Sequence, residues 1–182
     1  MNQLDAVRAM GLLLRDRELR LRFENDRKAI IKELNIAPGQ RSSVFGLDLR
    51  QLDAQAESLI RKRRAEVAHL VPKTWFRLGS EAHLQFRQYA DHSPWPEGHR
   101  RHLVDASMFC QFLRNNTASE YLRSEHHWVS FLANDRSFSV RLLDDLVVLG
   151  RERWAVQFCV RWNGVATSKV FRIRSFRELI RR

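Results

Sequence analysis

The chain has 182 residues, 44% of them hydrophobic, and sets 32 Lys+Arg against 21 Asp+Glu for a formal net charge of +11. That apolar share builds a core, which excludes a disordered chain, and 7 Gly with 4 Pro exclude a fibrous or linker-dominated one. No apolar run reaches the ~20 residues of a membrane span, Met1–Leu14 lacks the pattern of a secretory signal, and two distant cysteines suit a reducing compartment. The expectation is a cytoplasmic protein with no membrane association, of one domain or two small ones.

In chain order, Leu4, Val7, Met10 and Leu14 recur at helical spacing. Asp16 reads as an N-cap, followed by Leu19, Phe23, Ile30, Ile31 and Leu34 on one stripe. Pro38-Gly39 closes that unit. Phe45, Leu47, Leu49 and Leu52 lead into a third helix continuing through Ala56, Leu59 and Ile60. The basic run Arg61-Lys62-Arg63-Arg64 reads as a solvated helix face, with phosphate binding as its functional alternative. Pro72 interrupts or kinks the helix beyond it. Two short helices carry Trp75, Leu78, Leu84, Phe86 and Tyr89. The stretch Ser93-Pro94-Trp95-Pro96-Glu97-Gly98 breaks the pattern, and Leu103 to Leu113 is helical again.

The last third changes period. A helix is expected over Ala118–Asn134. Phe138, Val140 and Leu142 alternate as a strand, and Leu146–Leu149 reads as a second short one. Trp154, Val156, Phe158, Val160 and Trp162 alternate strictly with Ala155, Gln157, Cys159 and Arg161. Asn163-Gly164 marks a hairpin, Val165–Ile173 returns, and Phe176, Leu179 and Ile180 finish in an amphipathic helix. The fold class is therefore α+β: an N-terminal helical bundle over residues 1–116, then a unit over 117–182 with a small antiparallel sheet and flanking helices.

On this reading the apolar face of the Trp154–Trp162 strand is covered by a helix. The other face presents Gln157 and Arg161, and the return strand adds Lys169, Arg172 and Arg174. A basic sheet of this kind suits an acidic extended peptide. Trp95, held between prolines beside His99, Arg100 and His102, reads either as a partner-interface anchor or as a ring folded back on the bundle. His99 and His102, three apart on a helix face with Asp105 beyond, have a metal-ligand spacing that also serves helix capping. No Cys pair or Glu-x-x-His repeat accompanies them. Cys159 has no base near it in sequence, and neither a phosphate loop nor a nucleophile elbow occurs, so no catalytic or metal residue is assigned. On charge alone, an acidic protein partner and nucleic acid carry comparable weight.

The segment Leu12-Leu13-Leu14-Arg15-Asp16-Arg17-Glu18-Leu19-Arg20 with Phe23 resembles the MbnC family of methanobactin biosynthesis. So does the later set Arg63-Arg64, Pro72, Thr74, Leu78, Phe86, Tyr89, Trp95-Pro96-x-Gly98-His99-x-x-His102, Asp105, Phe109, Phe112 and Leu113. The resemblance implies a partner protein of a DUF692-type iron enzyme, MbnB-like, acting on the cysteines of an MbnA-like precursor peptide. It implies that this chain holds no cofactor, the iron being in the partner, and binds the leader segment as an added strand. The alternative is a basic nucleic-acid-binding regulator. A metal enzyme using His99 and His102 is the third reading.

Overall fold

Aspartates start and stop the first helices. The computed structural model describes residues 3–116, 122–148 and 151–172. Helices α1 (Ala6–Arg15), α2 (Arg17–Asn25) and α3 (Arg27–Glu33) begin at Asp5, Asp16 and Asp26. Their carboxylates accept from the amides of Arg8, Leu19 and Ala29 at 2.7, 3.0 and 2.9 Å. The expected stripe from Leu19 to Leu34 is therefore not one helix. At Asp26 the backbone (φ −145°, ψ 87°) leaves the helical region while its amide still donates to Arg22. One residue ends one helix and caps the next.

Helices α4 (Arg41–Phe45) and α5 (Leu49–Leu70) follow, α5 started by the Asp48 carboxylate on the amide of Arg50 at 2.8 Å. Pro72 stops α5 because it is the first residue of α6 (Pro72–Leu78), where a missing N–H costs nothing. A 3-10 turn leads to α7 (Ala82–His92), and α8 (Arg101–Asn116) and α9 (Arg123–Ala133) complete the helices. The chain forms two compact units, residues 1–66 with 83–97, and residues 67–82 with 98–182.

In the first unit Ala9, Leu13, Phe23, Ile30, Ile31 and Val44 form the core, while Val7 is exposed. Two arginines lie inside it. Arg20 donates to the carbonyls of Leu13 and Leu14 at 2.8 and 3.3 Å and pairs with Asp53 at 3.2 Å. Arg63 is 2% exposed, donates to the Ser93 carbonyl at 3.1 Å, and lies over the rings of Phe86 and Tyr89. The run Arg61–Arg64 is thus not a uniform solvated face. Arg61 and Lys62 are exposed, whereas Arg63 falls three residues after Ile60 on the inward stripe.

In the second unit, α6 and α9 cap each other. Glu125 accepts from the amides of Lys73 and Thr74 at 2.9 and 2.7 Å, and the Thr74 hydroxyl accepts from the amide of Leu122 at 3.0 Å. Strands β1 (Phe138–Val148), β2 (Arg151–Trp162) and β3 (Val165–Arg172) form an antiparallel sheet in that order. The fold is α+β. The two strands expected before Gly150 are one strand with a register shift between Leu143 and Leu146. Asn163 (φ 47°) and Gly164 (φ 79°) make the hairpin turn, both in the left-handed region that Asn-Gly tolerates. Residues 117–121, 149–150 and 173–182, with the expected terminal helix and Arg174, lie outside the described residues. No helix among those described is long and apolar enough to cross a membrane.

Replacing Glu125 with Ala strips two amides of a charged acceptor. It is expected to lower stability by about 2 kcal/mol, read as a lower urea midpoint at unchanged slope.

Candidate functional site

The register decides what each face of the sheet offers. Phe138 pairs with Val160, Val140 with Phe158, Val156 with Phe171 and Trp162 with Val165, so these side chains share one face. Among the described residues nothing covers that face. Trp162 is 76% exposed and Phe171 54%, and Phe138, Val140, Leu142 and Trp154 are exposed with them. Phe138, Phe158 and Phe171 make an aromatic row across all three strands, with centroids 6.4 and 5.5 Å apart. Of the two helices expected to cover the apolar face, α9 does not, and the terminal helix lies outside the described residues. The helix α9 covers the opposite face, where Ala155 and Cys159 are buried and Gln157 is 3% exposed.

Burial of Gln157 is satisfied in full by a polar network. Its Oε1 accepts from His127 Nδ1 at 3.0 Å, and its Nε2 donates to Ser168 Oγ at 2.8 Å. Because Oε1 can only accept, Nδ1 carries the proton, and in the neutral ring Nε2 is the acceptor for the Ser139 hydroxyl at 2.7 Å. One helix and three strands are tied by these bonds. Burial, helped by the charge of Arg141, holds the His127 imidazole below its ordinary range. The same two causes, burial first, push His126 down to about 4.

A base does stand near Cys159, contrary to the sequence expectation: His127 Nδ1 is 3.8 Å from its sulfur. That nitrogen carries the proton given to Gln157 and is no acceptor. Burial also raises the Cys159 thiol, and burial with the Glu125 charge raises Cys110 to about 12. The pair is structural.

The sequence-assigned peptide residues do not form one surface. Gln157 is interior. Arg161 caps α9, donating to the carbonyls of Asn134, Leu132 and Phe131 at 2.9, 3.2 and 3.4 Å. Lys169 and Arg172 are exposed but three apart on a strand, so they point to opposite faces, Lys169 to the aromatic side. Of the interface residues, Trp95 is 8% exposed, its carbonyl accepting from Arg15 Nε at 3.1 Å in the first unit, so the ring is folded back and is no exposed anchor. His99 is exposed and Arg100 pairs with Asp135, both in the turn before α8, while His102 lies in its first turn. They do not share a helix face. Among the described residues no three His, Cys, Asp or Glu side chains converge as metal ligands.

A family model described as SCO6045-like, C-terminal domain, matches residues 45–115, from the end of α4 to the last turn of α8. The chain is similar to that domain over less than half its length, and the similarity leaves the sheet outside. No curated protein matches the chain, and no solved structure does. The outward aromatic face, missed in sequence, is the surface with the clearest capacity for a partner.

Two outcomes test this site. Unfolded histidines take up protons near 6.5, whereas the folded chain resists until lower pH, about 4 at His126. Stability is therefore full above pH 6.5 and falls as pH drops toward 4. The double variant His126→Asn, His127→Gln should flatten that slope in thermal melts. Both thiols should resist iodoacetamide at pH 8 in the folded chain and react in step with unfolding.

Proposed function

We propose that the chain is a non-catalytic recognition subunit of a heteromeric peptide-modifying enzyme in the cytoplasm. It binds the leader of a precursor peptide and presents the peptide's cysteines to a DUF692-type iron enzyme. The resemblance to the MbnC family implies the reaction, oxazolone–thioamide formation in methanobactin biosynthesis, with the iron held by the partner. The observation that carries the reading is the sheet: among the described residues three strands, two edges without a neighbour, and an aromatic face turned to solvent, in a chain of net charge +11. An edge adds an extended peptide by main-chain hydrogen bonds, and the apolar face suits the enzyme subunit. The contribution to rate is positioning and effective concentration.

Co-expression with a DUF692-type enzyme and its precursor peptide, followed by mass spectrometry of the peptide, tests this. Cysteine modification requiring both proteins, with the iron in the other chain, is the expected result. Independence from this chain, with nucleic acid retained on it instead, would put a basic nucleic-acid-binding regulator in its place. Trp162→Asp with Phe171→Asp should weaken association with the enzyme at least about tenfold, while the thermal midpoint falls only by what the cross-strand contact of Phe171 with Phe158 contributes, about 1 kcal/mol or less.

A further inference from the structure

Period-two alternation along β1 places Ser139 and Arg141 on the side that α9 covers, at an edge with no neighbour among the described strands. The turn from α9 into β1 brings Arg136 beside them. Together with His127, Ser130 and Asn134 these residues line a half-open cleft of about 270 Å³. Two arginines and, among the described residues, no carboxylate line it. Asp135, next to Arg136 in the chain, is already engaged by Arg100 and Arg161. Neither Arg136 nor Arg141 has an ion-pair partner among the described residues, although Arg141 is half-buried. The Ser139 proton is committed to His127, and Ser130 shares a bond with Ser107 at 2.6 Å in which either hydroxyl can donate. The guanidinium forks are the charged donors of the cleft, with geometry matched to a planar oxyanion. The charge of Arg141 also registers at His126 and His127, both of which it helps hold neutral.

Volume narrows the ligand. About 270 Å³ takes a carboxylate with a few waters at ~30 Å³ each, and is below the usual range for a cofactor or nucleotide pocket. The edge beside it narrows the carrier. A strand paired with β1 lies ~4.8 Å from it and sends every second side chain to the cleft side of the sheet. We propose that this cleft takes one carboxylate, carried by an acidic side chain of an extended peptide paired with the free edge of β1. The peptide half of this inference rests on the recognition-subunit reading, and the anion half rests on the cleft alone.

The probes are two pentapeptides, acetyl-Val-Glu-Val-Thr-Val-amide and its counterpart with Gln for Glu, titrated into the isotope-labelled full chain and followed by amide NMR. The Glu peptide should move the signals of residues 136–141 saturably and bind at least about threefold more tightly than the Gln peptide. That preference should vanish in Arg136→Gln, Arg141→Gln and persist in part in Arg141→Lys, which keeps the charge. Equal binding of the two peptides, or shifts scattered over the basic surface, would overturn the site. Saturation of the same signals by acetate alone would overturn the peptide as carrier. Discrimination by the probes in a chain not needed for peptide modification would leave this site standing and remove the subunit reading. Modification that needs the chain, without discrimination, would do the reverse.

Discussion

The hydrogen bond from His127 to Gln157 determines which way the sheet faces. A primary amide in the middle of a central strand costs several kcal/mol to bury without partners. Here both ends of that amide are engaged, by His127 on α9 and by Ser168 on β3. Ala155 and Cys159 on either side are small, so the helix comes close to the strand without a clash. With that side filled, the larger Trp154, Phe158 and Trp162 have only the other side to occupy. Arg161 closes the arrangement by capping the end of α9 while stacking on Phe131 at 5.2 Å. Register, helix placement and the outward aromatic face all depend on this packing.

The sequence shows much of this fold through its punctuation. Asp16, Pro72 and Asn163-Gly164 act locally, through a cap, a missing donor and a left-handed turn, and each stands where its chemistry puts it. The α+β class follows from the change of period after the helical region. What sequence hides are the long-range decisions. Hydropathy marks the Trp154–Trp162 face as the buried one, because it weighs a glutamine as polar and does not see His127, thirty residues earlier, arriving to satisfy it. Asp26 breaks a helix that the apolar stripe carries through, since an N-cap and a mid-helix aspartate look alike without the backbone. Lys169 and Arg172 fail as a pair for a reason that was legible: an odd spacing divides them between faces.

Arginine has a second use here that bears on the charge. Arg20 and Arg63 lie inside the first unit on main-chain carbonyls, Arg15 holds the carbonyl of Trp95, and Arg161 holds the end of α9. The guanidinium is suited to this role because its several donors satisfy several carbonyls at once while the stem packs on apolar neighbours. Part of the net positive charge is therefore architectural. A count of basic residues overstates the electrostatic surface open to a polyanion, and spacing relative to the apolar stripe, as at Ile60 and Arg63, is the better guide to which cations face outward.

The two faces of the sheet divide structure from recognition. The covered face spends its polar groups on one another, fixing a single register without help from a partner. The outward face adds only the ring contacts of Phe138, Phe158 and Phe171 to that register, and most of its apolar surface stays open for burial against another surface. Bare edges and an apolar face together invite aggregation by strand pairing. The register shift between Leu143 and Leu146 kinks β1, and Lys169 places a charge among the aromatic side chains. Both features penalise flat stacking of two copies, yet neither blocks a single strand laid along the regular stretch before the shift. On the proposed reading, a sheet built this way would favour one extended segment over a second copy of itself.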